Sequence, residues 1–403
     1  MHCDLNNFFA SVEAVLDPSL LTVGPYAVCG NVELRQGIVL AKCPKAKAAG
    51  VKTGDAVWMA KQKCPGIKII PPRHGVYSKF SARVKEVYSR FTDKVESFGI
   101  DECWLDISSS AKLFGNGIDV SKKIRDTVKD EVGLSLSIGV SWNKTYAKIA
   151  SDQAGVGEII VVTRKNYKSV IYPLPASSML FVGRKSAKLF EKLNIRTIGD
   201  LAEFDPSALA PYLGINAHKL IKAARGEDDE PVGHIHDKEV PKSVGNGATL
   251  PKDINTIREI EQVIYVLAEE VGTRMRKKGV KGGTVSLSIR SPDLTWNGAQ
   301  EGVRPATSNA SAIMAVALKI LPKIHKVSSD GKCDPVRSVR ISVSGLESKK
   351  QSMQLSFLED LHTDKEDKLS ALFDNIRKKH GSDSILFGTA IGGLLDAKWE
   401  VTD

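Results

Sequence analysis

Along the first 165 positions the apolar residues change period several times, and each change marks an element. A short strand pattern opens the chain and passes into a helical run from Phe8 to Leu16, which Asp17, Pro18 and Ser19 end. Two β-type runs, Tyr26–Cys29 and Gly37–Ala41, flank a polar turn, and short helical stretches follow near 44–50 and 55–64. From 78 to 92 the spacing predicts an amphipathic helix with Phe80, Val84, Val87 and Phe91 on one face. Residues 95–107 read as strand, tight turn, strand. A helix near 119–132, a strand at Leu134–Gly139, a helix at 143–153 and a strand at Gly157–Val162 close the block. The order β-α-β-β-α-β is ferredoxin-like, and it places Asp4 of the first strand beside the 95–107 hairpin at the sheet's centre.

The pattern then changes. Residues 173–226 read as short helices punctuated by Gly183, Gly199 and Gly214, and His234 to Pro241 is a polar, aperiodic linker. Strands and helices alternate from 242 to 345, ending in the half-buried strand pattern Val336–Ser344. A polar run from Glu347 to Gln351 opens a tail with a helix near 364–380. No internal repeat or low-complexity tract is visible.

At 403 residues the chain is too long for one core and predicts two to four domains. Its 42% hydrophobic and 26% charged residues are those of a soluble globular protein. No run approaches the roughly 18 apolar residues of a membrane helix, and the N-terminus lacks the basic-then-apolar pattern of a signal peptide. A cytoplasmic protein without a membrane partner is expected. Cys3, Cys29, Cys43, Cys64, Cys103 and Cys333 form no C-x-x-C pair and read as reduced structural thiols. His234 and His236 alternate in the linker and read as surface residues. The net charge of +10 lies in the body of the chain, with a mildly acidic tail, and points to a polyanionic partner, nucleic acid before membrane.

Phosphoryl transfer from a nucleotide uses two divalent ions about 4 Å apart, held by hard oxygen ligands. Asp4, Asp101 and Glu102 are the candidates. Taken singly, Asp4 is a strand-end acid and Asp101-Glu102 a charged hairpin turn; only the β-α-β-β-α-β order brings them together. Adjacent carboxylates at a strand entry diverge, so the pair could serve two cations.

These residues carry a resemblance. The run from Asp4 to Glu13 is similar to the opening motif of Y-family DNA polymerases, and Gly99-Ile100-Asp101-Glu102 with Leu105-Asp106 resembles their second metal motif. Gly139-Val140-Ser141, Asn143-Lys144 and Ala147–Asp152 resemble the third. Arg35–Lys42, Gly50–Gly54 and Lys242–Asn246 resemble the bacterial DinB kind, and the matches run in order over about 350 residues. The resemblance implies a multi-domain α+β right-hand fold: a ferredoxin-like palm (1–16 and 78–165), small fingers (17–77), a helical thumb (166–231), a linker (232–240), an α/β little finger (241–345) and a tail (346–403).

It also implies roles. Asp4, Asp101, Glu102 and the Leu5 carbonyl would hold two Mg2+ ions, with Mn2+ as a substitute. The amides of Asn7, Phe8 and Phe9 would face a dNTP triphosphate, with Phe9 as the steric gate against a ribose 2′-hydroxyl. Lys144 and Lys148 could neutralise phosphate, although solvated helix lysines remain open. Two departures stand out. Pro44 occupies the position where the finger motif usually has tyrosine, leaving Lys47 as its cation and no hydroxyl. After Asp152 the usual Lys-Pro pair is absent, and Gln153–Gly157 offers no cation, although Lys45 could compensate. Weak nucleotide binding is expected.

Phe181-Val182-Gly183-Arg184 and Leu193–Leu201 resemble helix-hairpin-helix elements, whose glycine amides, here Gly183, grip the DNA backbone. The first hairpin lacks the usual leading Gly-x-Gly. In the little finger Arg274, Arg276, Lys277, Lys278 and Lys281, with Arg337 and Arg340 on a later strand, form a basic cluster expected to touch DNA phosphates and make binding salt-sensitive. Gln354-Leu355-Ser356-Phe357-Leu358 resembles the sliding-clamp peptide with its last two residues inverted. The expected partners are primer–template DNA, dNTP and a sliding clamp, for a monomer extending a primer without proofreading.

Two other readings are weighed against this one. A nucleotide cyclase shares such a palm, but needs neither hairpins nor a basic little finger, and Gly99-Ile100-Asp101-Glu102-Cys103 does not fit its turn. A catalytically weakened or inactive DNA-bound scaffold of the same fold would be consistent with Pro44 and Gly155, but not with intact Asp4, Asp101 and Glu102.

Overall fold

The computed structural model describes residues 1–33, 35, 37–237, 241–326, 331–348, 363–381 and 384–385. They fall into two compact units, one of Met1–Gly30 with Ile38–Asp237, the other of Asn31–Gly37 with the chain after Asp237.

A five-stranded sheet organises the first unit. Its order is Val95–Ser97, Glu102–Leu105, His2–Leu5, Leu136–Val140, Ile159–Val161. The first four strands are antiparallel to their neighbours, in the ferredoxin-like arrangement expected from the sequence. The fifth lies parallel to the fourth, joined to it through the Lys144–Gln153 helix. His2–Leu5 is therefore central, which explains why His2, Cys3 and Leu5 are all buried. In the register, Asp4 lies opposite Glu102 and Cys3 opposite Cys103.

Local chemistry sets the helix ends. Asn116 caps the Gly117–Val132 helix by accepting from the Ile118 and Asp119 amides, and Gly133 at φ 78° ends it, so it starts two residues before the apolar pattern suggests. The helix expected at 78–92 runs over His74–Ser89, with Tyr77, Phe80, Val84 and Val87 buried. Phe91 lies beyond it, tilted against Phe114 at 5.1 Å. A small three-stranded sheet, in the order Val39–Lys42, Tyr26–Cys29, Lys68–Ile70, packs with the helices Pro44–Ala48 and Val57–Lys63. Pro44 takes the first helical position, where a missing N–H costs nothing, and the Cys43 sulfur accepts from the Ala46 amide. Residues 184–224 form four short helices around Phe190, Ile198, Leu201, Leu209 and Ile221.

The second unit is a four-stranded antiparallel sheet in the order Trp296–Thr307, Val280–Arg290, Lys332–Ser348, Ser243–Thr256. The helices Ile257–Lys278 and Ala310–Ile324 cover one face, where Leu287, Ile289, Val339, Ile341 and Val343 meet Ile264, Leu267, Ile313 and Ile320. The other face presents Ser286, Ser288, Arg340 and Ser342. Within this unit the Thr363–His380 helix is tied by Arg276–Asp374 and Arg377–Glu269 ion pairs. All six cysteines are free, and all but Cys333 are buried. Among the described residues no helix is long and apolar enough to cross a membrane.

The fourth strand of the first sheet and the Lys144–Gln153 helix touch backbone to backbone at Gly139. A Cβ there would stand 1.9 Å from the Ala147 carbonyl and 2.5 Å from the Ser151 amide. Gly139→Ala should therefore force the helix off the sheet and destabilise the first unit by about 3 kcal/mol or more. Urea denaturation checks this: an unshifted midpoint would show that the helix yields without cost.

Candidate active site

Strand pairing assembles the site. Asp4 and Glu102 are cross-strand partners, and Asp101 precedes Glu102 at the strand entry, its carbonyl accepting from the Leu5 amide at 3.1 Å. The Lys144–Gln153 helix lays Lys148 over them. Its ammonium is 3.0 Å from Glu102 Oε2, 3.6 Å from Asp4 Oδ2 and 2.8 Å from Asp152 Oδ1. His2 stands behind, its Nδ1 2.7 Å from Ser151 Oγ and its Nε2 3.5 Å from Glu102 Oε2.

The electrostatics follow from burial and like charge. Burial pushes the Asp4 carboxyl up, Lys148 opposes this, and Glu102, Asp101 and Asp152 add to it, leaving the group at about 7. Asp101 is raised by burial and then by Glu102. Burial also pushes Glu102 up, but His2 and Lys148 outweigh it and hold the group below the usual range. Burial lowers His2, against the opposing pull of Glu102. Lys148 is desolvated, yet Asp152 and Glu102 hold it above the ordinary lysine value.

This donor set fits a divalent cation. Hard carboxylate oxygens gather around a cationic ammonium, and Glu102 Oε2 is buried without a well-formed hydrogen bond. Among the described residues no three His, Cys, Asp or Glu side chains converge tightly enough to hold an ion by themselves. Glu102 is turned to Lys148 instead.

Beside the carboxylates the Phe8–Leu16 helix begins. Asn7 is left-handed at φ 51° and gives no side-chain cap, and no acidic residue occupies the first turn. The amides there are therefore a ready site for phosphate. Phe8 is buried in the core, so only its amide can serve. The half-buried Phe9 ring stacks on Tyr77 at 4.1 Å and 15°. Tyr77 in turn donates to the buried Glu13 carboxylate at 2.6 Å, which Arg73 also grips.

Other expected residues take different places. Lys144 is buried and paired to Glu96, so it is not a solvated cation. Lys47 is exposed on the Pro44–Ala48 helix, while Lys45 points to the Leu21 carbonyl at 3.3 Å. Around Gly155 the segment is held by hydrogen bonds: Gly155 N–H to Glu158, Ser137 Oγ to the Gly155 carbonyl and Gly157 N–H to Asn6 Oδ1. Gly183 caps the Arg184–Lys192 helix with open space where a side chain would be.

In the second unit the structure does not gather the basic residues on one face. Arg274, Arg276, Lys277 and Lys278 end the helix behind the sheet, while Arg340 projects from the open face. Arg276 is largely enclosed by Asp374, Thr273 and the Ser308 carbonyl, and Arg274 donates to the Gly245 carbonyl. Arg337 is half-buried where the strand pairing is irregular. Gln354–Leu358 lie outside the described residues. Sequence reasoning gave no role to Asn6, His2, Tyr77 or Ser151; the pairing of Asn6 with Ser135, Ser137 and Gly157 has no local signal.

A ferredoxin-like sheet with Asp4 and Glu102 on neighbouring central strands and Asp101 at the strand entry, beside an uncapped helix start, is an arrangement compatible with nucleotidyl transfer. Comparison with known proteins gives the family. The impB/mucB/samB family matches residues 3–152, and the C-terminal domain of that family matches 241–357. DNA polymerase IV of Acetivibrio thermocellus is 40% identical over 390 residues, 96% of each chain. DNA polymerase IV 2 of Bacillus subtilis is 35% identical over 95% of this chain and 92% of its own. A solved Y-family DNA polymerase chimera of Dbh and Dpo4 shares the fold, with a TM-score of 0.73, 23% identity and coverage of 86% of this chain and 98% of its own. The chain belongs to the impB/mucB/samB family, the Y-family polymerases of the DNA polymerase IV kind. It is a DNA-directed DNA polymerase of the translesion class, with the multi-domain α+β fold of that class.

The raised Asp4 pKa has a sign that can be measured. The folded state holds this proton more tightly than the unfolded chain, so the stability it confers is full below about 4 and lost as pH rises through about 7. At about 1.4 kcal/mol per unit, and allowing for partial exposure, Asp4→Asn should stabilise the cation-free protein by roughly 2 kcal/mol at pH 8 and by little at pH 4. Melting in EDTA at both pH values checks this. Added Mg2+ should raise the wild-type melting temperature more than the variant's. Equal melting of the two proteins at pH 8 would contradict the electrostatic account.

Proposed function

We propose that the chain adds dNTPs to a primer 3′-hydroxyl at this palm site, releasing pyrophosphate, at low fidelity and without proofreading. The observation that carries this reading is the register that sets Asp4 opposite Glu102, beside the open amides of the Phe8–Leu16 helix. Asp4, Asp101, Glu102 and the Leu5 carbonyl would hold two Mg2+ ions, with Mn2+ as a substitute. When bound, such ions lower the pKa of the attacking hydroxyl and offset charge on the leaving oxygens.

The chain's own residues do the rest. The amides of Asn7, Phe8 and Phe9 align the triphosphate, and exposed Lys47 meets its outer charge. Phe9, fixed on Tyr77, fills the space of a ribose 2′-hydroxyl. Lys148 holds Asp4 and Glu102 in place and balances part of their repulsion. His2 and Ser151 buttress Glu102 from behind.

The domain reading belongs to the same proposal: palm 1–16 and 78–165, fingers 17–77, thumb 166–231, linker 232–240, little finger 241–345 and tail 346–403. Sheet composition and the short-helix segment support it. Gly183 and Arg340 remain candidates for DNA contact, with a cytoplasmic monomer recruited by a sliding clamp through Gln354–Leu358.

Primer extension tests this directly. The double variant Asp101→Ala, Glu102→Ala should lose extension by a thousandfold or more while still binding primer–template; extension at the wild-type rate would remove these residues from the chemistry. Phe9→Ala should admit ribonucleotides, and unchanged sugar selectivity would end the steric-gate role. With Pro44 giving no hydroxyl, the Michaelis constant for dNTP should lie above the low-micromolar range. Pro44→Tyr should lower it by about one to two decades, as a charge-assisted contact of about 1.5–3 kcal/mol implies. A low-micromolar constant in the wild type would reject weak nucleotide binding.

A further inference from the structure

The first hairpin of the short-helix segment carries a residue that the chemistry above does not use. Phe181 has a φ of 67°, in the left-handed region that suits glycine and strains a bulky side chain. Burial does not recover the cost, because the residue is 84% exposed. Strained residues that persist without burial concentrate at functional surfaces.

Its ring meets Phe98 edge-on, with centroids 6.4 Å apart. Phe98, itself 40% exposed, lies 4.6 Å from Trp104, over which the Lys144 ammonium sits at 5.4 Å. The Phe98 amide donates to the Glu102 carbonyl at 3.0 Å, so this ring is fixed to the turn bearing Asp101 and Glu102. Rings therefore run from the open backbone at Gly183 to the carboxylates. Arg184 and Lys185, both exposed, follow the hairpin.

We propose that Phe181, with Phe98 beside it, is a contact surface for the primer strand of DNA, packing against the deoxyribose of nucleotides just upstream of the 3′ end. This rests on the polymerase reading, which puts the 3′ end at the carboxylates. A strand running from there to the Gly183 amides passes the ring row. Deoxyribose offers the apolar face that an exposed ring can cover, and the flanking cations match its phosphates. A triphosphate alone would be recognised by amides and cations instead of rings.

Phe181→Gly removes the ring and relieves the backbone, so the two effects separate. The variant should melt at or above the wild-type temperature, yet bind primer–template three- to tenfold more weakly. The slope of affinity against salt should not change, since no charge is lost. The Michaelis constant for primer–template should rise, with that for dNTP unchanged, and Phe181→Tyr should restore wild-type binding. Fluorescence anisotropy with a labelled primer–template, across a salt series, reads the affinity. Wild-type affinity in Phe181→Gly would overturn the proposal, as would a clear drop in melting temperature, which would make the ring part of the fold. A wild-type protein that bound no primer–template would overturn the polymerase reading along with it.

Discussion

Three carboxylates held together at the edge of water are the constraint on which the first unit is built. Two unit charges about 4 Å apart repel by about 4 kcal/mol at the effective dielectric of a protein surface. No short loop would keep such groups together. Here Asp4 and Glu102 are locked by the pairing of the two central strands, and Asp101 is anchored through its own carbonyl to Leu5. The offsetting cation comes from a rigid helix packed so tightly on the neighbouring strand that only glycine fits at 139. One contact thus sets the height of Lys148 and Ser151 above the carboxylates. The residual strain appears as the raised Asp4 and Asp101 carboxyls, which in the proposed reading is stability given up for cation affinity.

In the proposed reading the phosphate side rests on neutral amides, with Lys47 as its one named cation. Phe8, buried in the core, pins the helix start, and the left-handed Asn7 before it leaves the first amides without a side-chain cap. Where related polymerases place a lysine after the Ser-Asp pair, this chain ties Gly155 and Gly157 to Glu158 and Asn6. Asn6 spends both ends of its amide on this task. Pro44 likewise has a local reason, as the first residue of a helix capped by Cys43. These substitutions keep the backbone in order while removing two polar contacts, which is why weak nucleotide binding accompanies an intact metal site in the proposed reading.

Much of this was legible in the sequence, and what was not shares one cause. Alternation and helical spacing place the palm strands, because the inner strands His2–Leu5, Glu102–Leu105 and Leu136–Val140 are largely buried and carry mostly apolar residues. The expected partnership of Asp4 with the 95–107 hairpin follows from strand order alone. The fifth, parallel strand follows from the helix after Val140. Contacts between distant side chains leave no periodic trace. The Tyr77 ring under Phe9, the Glu13–Arg73 pair holding it, and His2 behind Glu102 join residues far apart in the chain. The burial of Lys144 was unreadable for the same reason, since Glu96 lies 48 positions away.

In the second unit charge counting and geometry point different ways. A run of four basic residues at a helix end invites a DNA-binding reading, yet a helix C-terminus attracts cations through its own dipole. Arg276 and Arg377 are consumed by Asp374 and Glu269, and the helix lies behind the sheet. The open face carries serines at 286, 288 and 342 with Arg340 among them. A face of that kind can approach a nucleic acid backbone closely, because its side chains are short, but it releases few counterions. If it is the DNA-facing surface, affinity there depends on shape and hydrogen bonding more than on net charge. Lys277 and Lys278 at the helix end, and Lys47, Arg184 and Lys185 in the first unit, are among the exposed cations that could add a salt-dependent share.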